Sequence, residues 1–440
     1  MILYELNRKA NITIMTPCGE SEAFSVERIV KQGTIFGPQL CCSSTAKVDQ
    51  IGERKCETYI STDLHIGTLI FVDDIEAIGT RKTMIVAAEN LQHMERKKGF
   101  RFNTDKTKYV IVKTGKEKGE EVDIEVAMGK IERVEKYKYL GNWIGENGRP
   151  TSQIEAKEKE VTRIVIEVSK LCSEQNFGKM STATRLILYE KTVVPGIIFN
   201  LECWTELGDK EMERLEKIQG QIIKGLLQLP ESTPYWGLIK ETGVWPIRMK
   251  IIYQRLMLFQ NMISSDEERL GKKIVEDQLK NQKKGWVSET KRLARTIGID
   301  VDRARSMKKS KWKKELKINI ERKINEDLDK VEVMYRKMRH QKGQKFGRKS
   351  YLEEMTIAEA SLTMRRRLEM IDVGNNMGKN RICKECNVKE TTEHMITCRN
   401  KNWKIEDQIQ TEWLKETNNL YLIRKVNKWL EREIDTAEEK

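Results

Sequence analysis

The sequence predicts an α+β chain, and three observations predict it. Strand-like and helix-like hydrophobic patterns interleave up to about residue 145, only helical periodicity follows from about Ser152, and three cysteines gather around His394 near the C-terminal end. At 440 residues there is enough chain for two or three domains with real cores.

Taken in order, Ile12 to Met15 reads as a strand and Thr16 to Ser21 as a turn. In Val30 to Leu40, Gly33 and Gly37 allow close backbone approach, and Pro38 suits the first turn of a helix running to about Ile51. Thr68 to Ile78 is apolar except where Asp73 and Asp74 interrupt it and Glu76 follows. Two short β segments, Leu69 to Val72 and Ile75 to Ile78, meeting at the aspartates predict a tight hairpin that raises both carboxylates at its tip. An ordinary acidic turn has the same appearance. Arg81 to Lys97 is an amphipathic helix with Met84, Ala87, Ala88, Leu91 and Met94 on one face. A loop carrying Lys106 then leads into a strand ending near Val112, followed by short strands at Ile124 to Ala127 and Ile131 to Val134. The aromatic segment Tyr137 to Ile144 turns at Gly141.

Beyond Ser152 the helical stretches are separated at Pro195-Gly196, Pro230 to Pro234 and Pro246. Met212 to Leu229 and Arg248 to Met262 have the apolar stripes of core-facing helices. After Ser265 come basic clusters at Lys280 to Lys284, Met307 to Lys314, Arg336 to Lys349 and Arg365 to Arg367, with Trp286, Trp312, Phe346 and Tyr351 among them. Such clusters are either solvated helix faces or nucleic-acid contacts. From about Trp403 to Glu433 the pattern is amphipathic again, packing through Trp413, Leu420, Ile423 and Trp429.

With 81 basic and 67 acidic side chains the formal charge is +14, which points to a polyanionic partner, nucleic acid ahead of a membrane surface. No run of about 18 apolar residues and no signal-like N-terminus occurs, so a soluble intracellular protein, in nucleus or cytoplasm, is expected. Nine cysteines, partly clustered, argue against a disulfide framework. Cys383, Cys386, His394 and Cys398 stand in a Cys-x2-Cys-x7-His-x3-Cys pattern. Three thiolates and one imidazole fill a tetrahedral Zn²⁺ shell with no open position, so the predicted site is structural. Chance clustering of reduced cysteines is the alternative.

Four segments, Lys31 to Leu40, Phe71-Val-Asp-Asp74, Gly99 to Thr107 and Tyr139-Leu-Gly141, stand in the order of four palm motifs of reverse transcriptases. The chain resembles the LINE-type, non-LTR retrotransposon family from its first residues to about 262, and again at the Cys/His cluster. The resemblance implies a partial polymerase palm at 1–150, an all-helical thumb at 151–262, a basic helical linker at 263–378, and a small zinc knuckle with terminal helices at 379–440. It also implies RNA-directed DNA polymerase chemistry on an RNA template and DNA primer. In that reading Asp73 and Asp74 hold Mg²⁺, Lys106 lies near the incoming phosphates, Gln32 and Gly33 line the nucleotide and template, and Tyr139, Leu140 and Gly141 grip the primer. The family's other metal-binding aspartate belongs to a strand upstream of the segment that Met1 to Phe24 resembles. An N-terminally truncated chain, weak or inactive alone, is therefore expected. The alternative is a non-catalytic derivative that binds nucleic acid through thumb, basic linker and knuckle.

Overall fold

A computed structural model describes residues 10–26, 39, 42, 58–61, 64–98, 102–112, 124–126, 129–171, 180–281, 284–371, 382–383, 386–389, 391, 394 and 411–438. The architecture is α+β. Two compact units, Met1–Tyr137 and Lys138–Lys440, make up the chain and are described separately.

The first unit carries most of the strands. Ala10–Ile12 pairs antiparallel with Phe24–Val26, and Met15–Thr16 with Gly19–Glu20 across a turn at Pro17-Cys18. Thr58–Tyr59 pairs with His65–Ile66, and Thr68–Phe71 with Asp74–Ala77. The largest sheet among the described residues has three strands: Gly129–Arg133 lies between antiparallel Ile124–Val126 and parallel Lys108–Tyr109. The helix Arg81–Lys98 begins after Thr80, whose hydroxyl accepts the Thr83 N–H at 3.4 Å. Its apolar face is the expected one, with Ala87, Ala88 and Met94 buried and Met84 and Leu91 half-buried. The segments around Gln32 and Gly33, and the helix expected to end near Ile51, lie outside the described residues apart from two helical positions at 39 and 42.

The second unit is helical after its opening hairpin. Thr151–Leu171, Asp209–Leu226, Ile247–Ile263, Lys309–Met334, Ile357–Arg367 and Leu420–Glu438 are among its principal helices. Thr182–Leu188 passes through a π-helical turn, Tyr189–Val193, before the helix resumes at Val194–Ile198. Pro195 sits at that restart, because its missing N–H and its ring do not fit a continuous α-helix. One hydrophobic core runs from Ile154 to Met370 and takes in Ile423, so the residues expected as thumb and as basic linker share it. Leu362, Ile371, Leu414, Val426 and Leu430 form a smaller cluster, with Trp413 against it. Trp429 has no described side chain.

The shared core takes two of the aromatics and two of the arginines out of the surface of the basic clusters. Trp312 and Tyr351 are fully buried: the Trp312 indole donates to the Leu256 carbonyl, and the Tyr351 hydroxyl to Glu241. Trp286 packs half-buried on Phe259 and Arg255 and donates to the Glu202 carbonyl, and Phe346 is half-buried against the same core. Trp312 and Tyr351 therefore offer no face for base stacking. Arg366 and Arg367 are buried as well, so the Arg365 to Arg367 run is not a surface patch.

One tight approach fixes how the helix Tyr235–Thr242 meets the 347–349 segment. Gly243 ends that helix at φ +65°, and a Cβ there would sit 2.3 Å from the Arg348 amide nitrogen, which is backbone and cannot swing aside. Gly243→Ala is expected to destabilise the second unit by about 2–3 kcal/mol, from left-handed strain plus the clash. The midpoint of urea unfolding followed by tryptophan fluorescence checks this.

Candidate functional site

The hairpin Thr68–Phe71/Asp74–Ala77 forms as expected, with the turn one residue earlier than the sequence suggests. Phe71 pairs with Asp74, so Val72 and Asp73 are the two turn residues and Asp74 opens the second strand. Val72 has φ +59° while Asp73 is not left-handed, the pattern of a primed hairpin turn whose first central position normally carries glycine. A β-branched residue held there costs about 1–3 kcal/mol. Phe71, Asp73 and Asp74 are exposed at the tip. Strand alternation puts Leu69, Phe71, Asp74 and Glu76 on one face, since Leu69 opposes Glu76 and Phe71 opposes Asp74. Glu76 is half-buried, and burial pushes its carboxyl above the usual range. Among the described residues, no group of three His, Cys, Asp or Glu ligands includes Asp73 or Asp74.

Lys106 sits in a turn built by Asn103. The Asn103 side-chain oxygen accepts the Lys106 N–H at 3.0 Å, and its carbonyl accepts the Thr107 N–H at 3.0 Å and hydroxyl at 2.9 Å. An asparagine three residues before the lysine is a legible signal for this turn, and it leaves the lysine exposed.

Tyr139, Leu140 and Gly141 form the turn end of a second hairpin, Lys136–Tyr139 with Asn142–Gly145. Leu140 at φ +43° and Gly141 at φ +83° supply the two positive φ values of a type I′ turn. The Leu140 carbonyl accepts from the Asn200 amide at 3.1 Å, and a Cβ on Gly141 would come within 2.8 Å of the Phe199 ring. The Gln153 side chain accepts the Trp143 N–H at 2.8 Å. The tip is thus braced on one side by the 199–200 turn, with Leu140 exposed and Tyr139 half-buried.

Cys383, Cys386 and His394 form the one three-donor His/Cys/Asp/Glu group found among the described residues, their ligand atoms all within 4.8 Å of one another. Cys386 Sγ and His394 Nε2 are 3.2 Å apart, against about 3.6 Å for two such ligands on one tetrahedral Zn²⁺. Local backbone bonds make the arrangement. Asn387 N–H donates to the Cys383 carbonyl at 2.9 Å, Cys383 N–H to the Val388 carbonyl at 2.8 Å, and Ile382 bridges Lys389. Asn387 takes φ +56°, which an asparagine tolerates. The Thr391 hydroxyl accepts the His394 N–H at 2.9 Å, a cap that orients the histidine. Cys383 is buried and Cys386 half-buried. Cys398, the expected fourth ligand, lies outside the described residues. The donor set fits a metal such as zinc.

Fold and site together define an α+β chain with a Cys/His group that could hold a metal ion. No protein-family model matches it, and no curated protein matches it. No helix among the described residues is long and apolar enough to cross a membrane.

Proposed function

We propose that the chain is a reverse-transcriptase-like protein of the non-LTR retrotransposon type, which handles an RNA template and a DNA primer. The observation that carries this reading is the Phe71 to Asp74 hairpin. A strained valine turn holds two adjacent exposed carboxylates at its tip, and backbone strain of this kind persists where function requires it. The reaction class is nucleotidyl transfer, in which the primer 3′-oxygen bonds to the α-phosphorus and pyrophosphate leaves. Asp73 and Asp74 would hold Mg²⁺, which neutralises charge developing on the phosphate oxygens. Lys106 would face the incoming phosphates, Gln32 and Gly33 the nucleotide and template, and the Tyr139 to Gly141 turn the primer end. Cys383, Cys386 and His394, with Cys398, would bind a structural Zn²⁺.

A second reading, nucleic-acid binding without catalysis, is favoured by one observation. The aspartate pair gains no third carboxylate, histidine or thiolate among the described residues, whereas a two-metal centre needs bridging ligands on both ions. Primer extension with purified chain and Mg²⁺ separates the two. The polymerase reading expects weak extension that falls at least about 100-fold in Asp73→Ala, the loss typical of removing a group that stabilises transition-state charge. Extension unchanged by Asp73→Ala would remove the hairpin from the chemistry. No extension from either protein, with salt-sensitive RNA binding in both, leaves the binding reading.

A further inference from the structure

The helix Lys309–Met334 buries one i, i+4 row, Trp312, Leu316, Ile320, Ile324 and Leu328, against the core. Away from that row, its first turns carry Lys309, Lys311, Lys313, Lys314 and Lys317, preceded by Lys308 at the N-cap. All six lysines are exposed, and none of their ammonium groups has an ion-pair or hydrogen-bond partner among the described residues. Glu315, the one acid between residues 308 and 317, is paired with Arg303 at 2.5 Å.

This arrangement works against the helix. Lys309, Lys313 and Lys317 follow one another at i, i+4, while Lys308 with Lys311, Lys311 with Lys314, and Lys314 with Lys317 stand at i, i+3. Like charges at these spacings repel. The helix dipole also disfavours cations in the first turn, where this helix has no acid. Solubility alone would be served equally by mixed charges, whereas a polyanion laid along the face removes both penalties.

The chemistry of the face selects the polyanion's contact. Trp312 is turned fully inward, so no aromatic surface is offered here, only ammonium groups on flexible stems. From Lys309 to Lys317 the helix rises about 12 Å, the axial span of roughly three or four phosphates on one strand. We infer that residues 308–317 form a surface for the sugar–phosphate backbone of a nucleic-acid strand, touching phosphates and reading no bases. This rests on the nucleic-acid reading above and gives that binding a place on the fold.

The test is fluorescence anisotropy of the full zinc-loaded chain with a labelled single-stranded RNA, across about 50 to 200 mM salt. The proteins are wild type, the fourfold variant Lys309/Lys313/Lys314/Lys317→Gln, and the same four positions changed to Arg. In the glutamine variant, affinity at about 100 mM salt should fall at least about 10-fold, and the salt slope should become shallower by about 0.7 for each phosphate that is no longer neutralised. Its melting temperature should not fall, since repulsion has been removed. The arginine variant should bind like wild type. Wild-type slope and affinity in the glutamine variant would overturn this surface while leaving the nucleic-acid reading in place. Absence of RNA binding by wild type would overturn both. A glutamine variant that melts lower would show that the lysines serve the fold, and preference of wild type for phosphatidylserine vesicles over RNA would show a membrane partner; either result overturns the proposal.

Discussion

Replacing Glu241 with alanine is expected to destabilise the second unit by about 3–5 kcal/mol, the loss typical when one partner of a buried ion pair is removed. Glu241 and Arg367 are both wholly buried. Arg367 Nε lies 3.0 Å from each carboxylate oxygen and a terminal nitrogen 2.9 Å from Oε1, while the Tyr351 hydroxyl donates to Oε2 at 2.6 Å and the Gln341 amide to Oε1 at 2.7 Å. Without the carboxylate, Arg367 and its buried neighbour Arg366 would lose a shared counter-charge. Arg366 is already pressed toward neutrality, to a pKa of about 9, by burial and then by Arg367. All nine tryptophans lie beyond residue 142, so the urea midpoint from tryptophan fluorescence reports this unit. A shift equivalent to less than about 1 kcal/mol would refute the expectation. Combining Glu241→Leu with Arg367→Met should recover much of the loss, because the pair's own desolvation is then avoided.

The same cluster sets an acid limit. Burial acts to raise the Glu241 carboxyl, but Arg367, its hydrogen bonds, Tyr351 and Lys349 outweigh it and hold the group below the ordinary carboxylate range. A folded value below the unfolded one means that the stabilisation is complete above about pH 4.3 and is lost as pH falls through the folded value. Acid unfolding of wild type should therefore be steeper below that pH than in Glu241→Gln.

Local patterns are readable wherever local physics decides. The 81–98 helix announces its buried Ala87, Ala88 and Met94 by spacing, and both hairpins announce themselves by alternation around short polar or glycine turns. The hairpin at Asp73 turns one residue early because Val72 takes the left-handed position, and nothing in a valine signals that. Trp312 is easily misread among its lysines although it heads the row continued by Leu316 and Ile320, which is the core signature. Arg367 is not legible at all, since its partner Glu241 is 126 residues distant and only the packing of four elements brings them together. At the Cys383, Cys386 and His394 group, cysteine spacing and the Thr391 to His394 interval carry the arrangement because donors and cap all lie between residues 383 and 394.

If the proposed zinc is bound, its removal is the largest change expected. Structural zinc in small knuckles contributes about 10–16 kcal/mol of apparent binding energy near neutral pH, far more than the few local hydrogen bonds around Cys383 can supply. Metal analysis of the purified chain should give about one zinc per chain, and Cys383→Ser should lose it. Hydrogen exchange across residues 382–394 should rise to unfolded-like rates in that variant and in chelated wild type. The Glu241 core should hold its protection, since among the described residues neither hydrophobic cluster includes Cys383, Cys386 or His394. Binding needs two or three deprotonated thiols and a neutral imidazole, so it releases protons, and affinity must fall as pH falls. Acidification in the presence of a chelator should thus open the knuckle before the helical core. Substoichiometric metal after refolding in zinc, or exchange unchanged by chelation, would mean that the Cys383, Cys386 and His394 cluster holds together without an ion. In that outcome the 3.2 Å separation of Cys386 Sγ and His394 Nε2 would be a thiol–imidazole hydrogen bond.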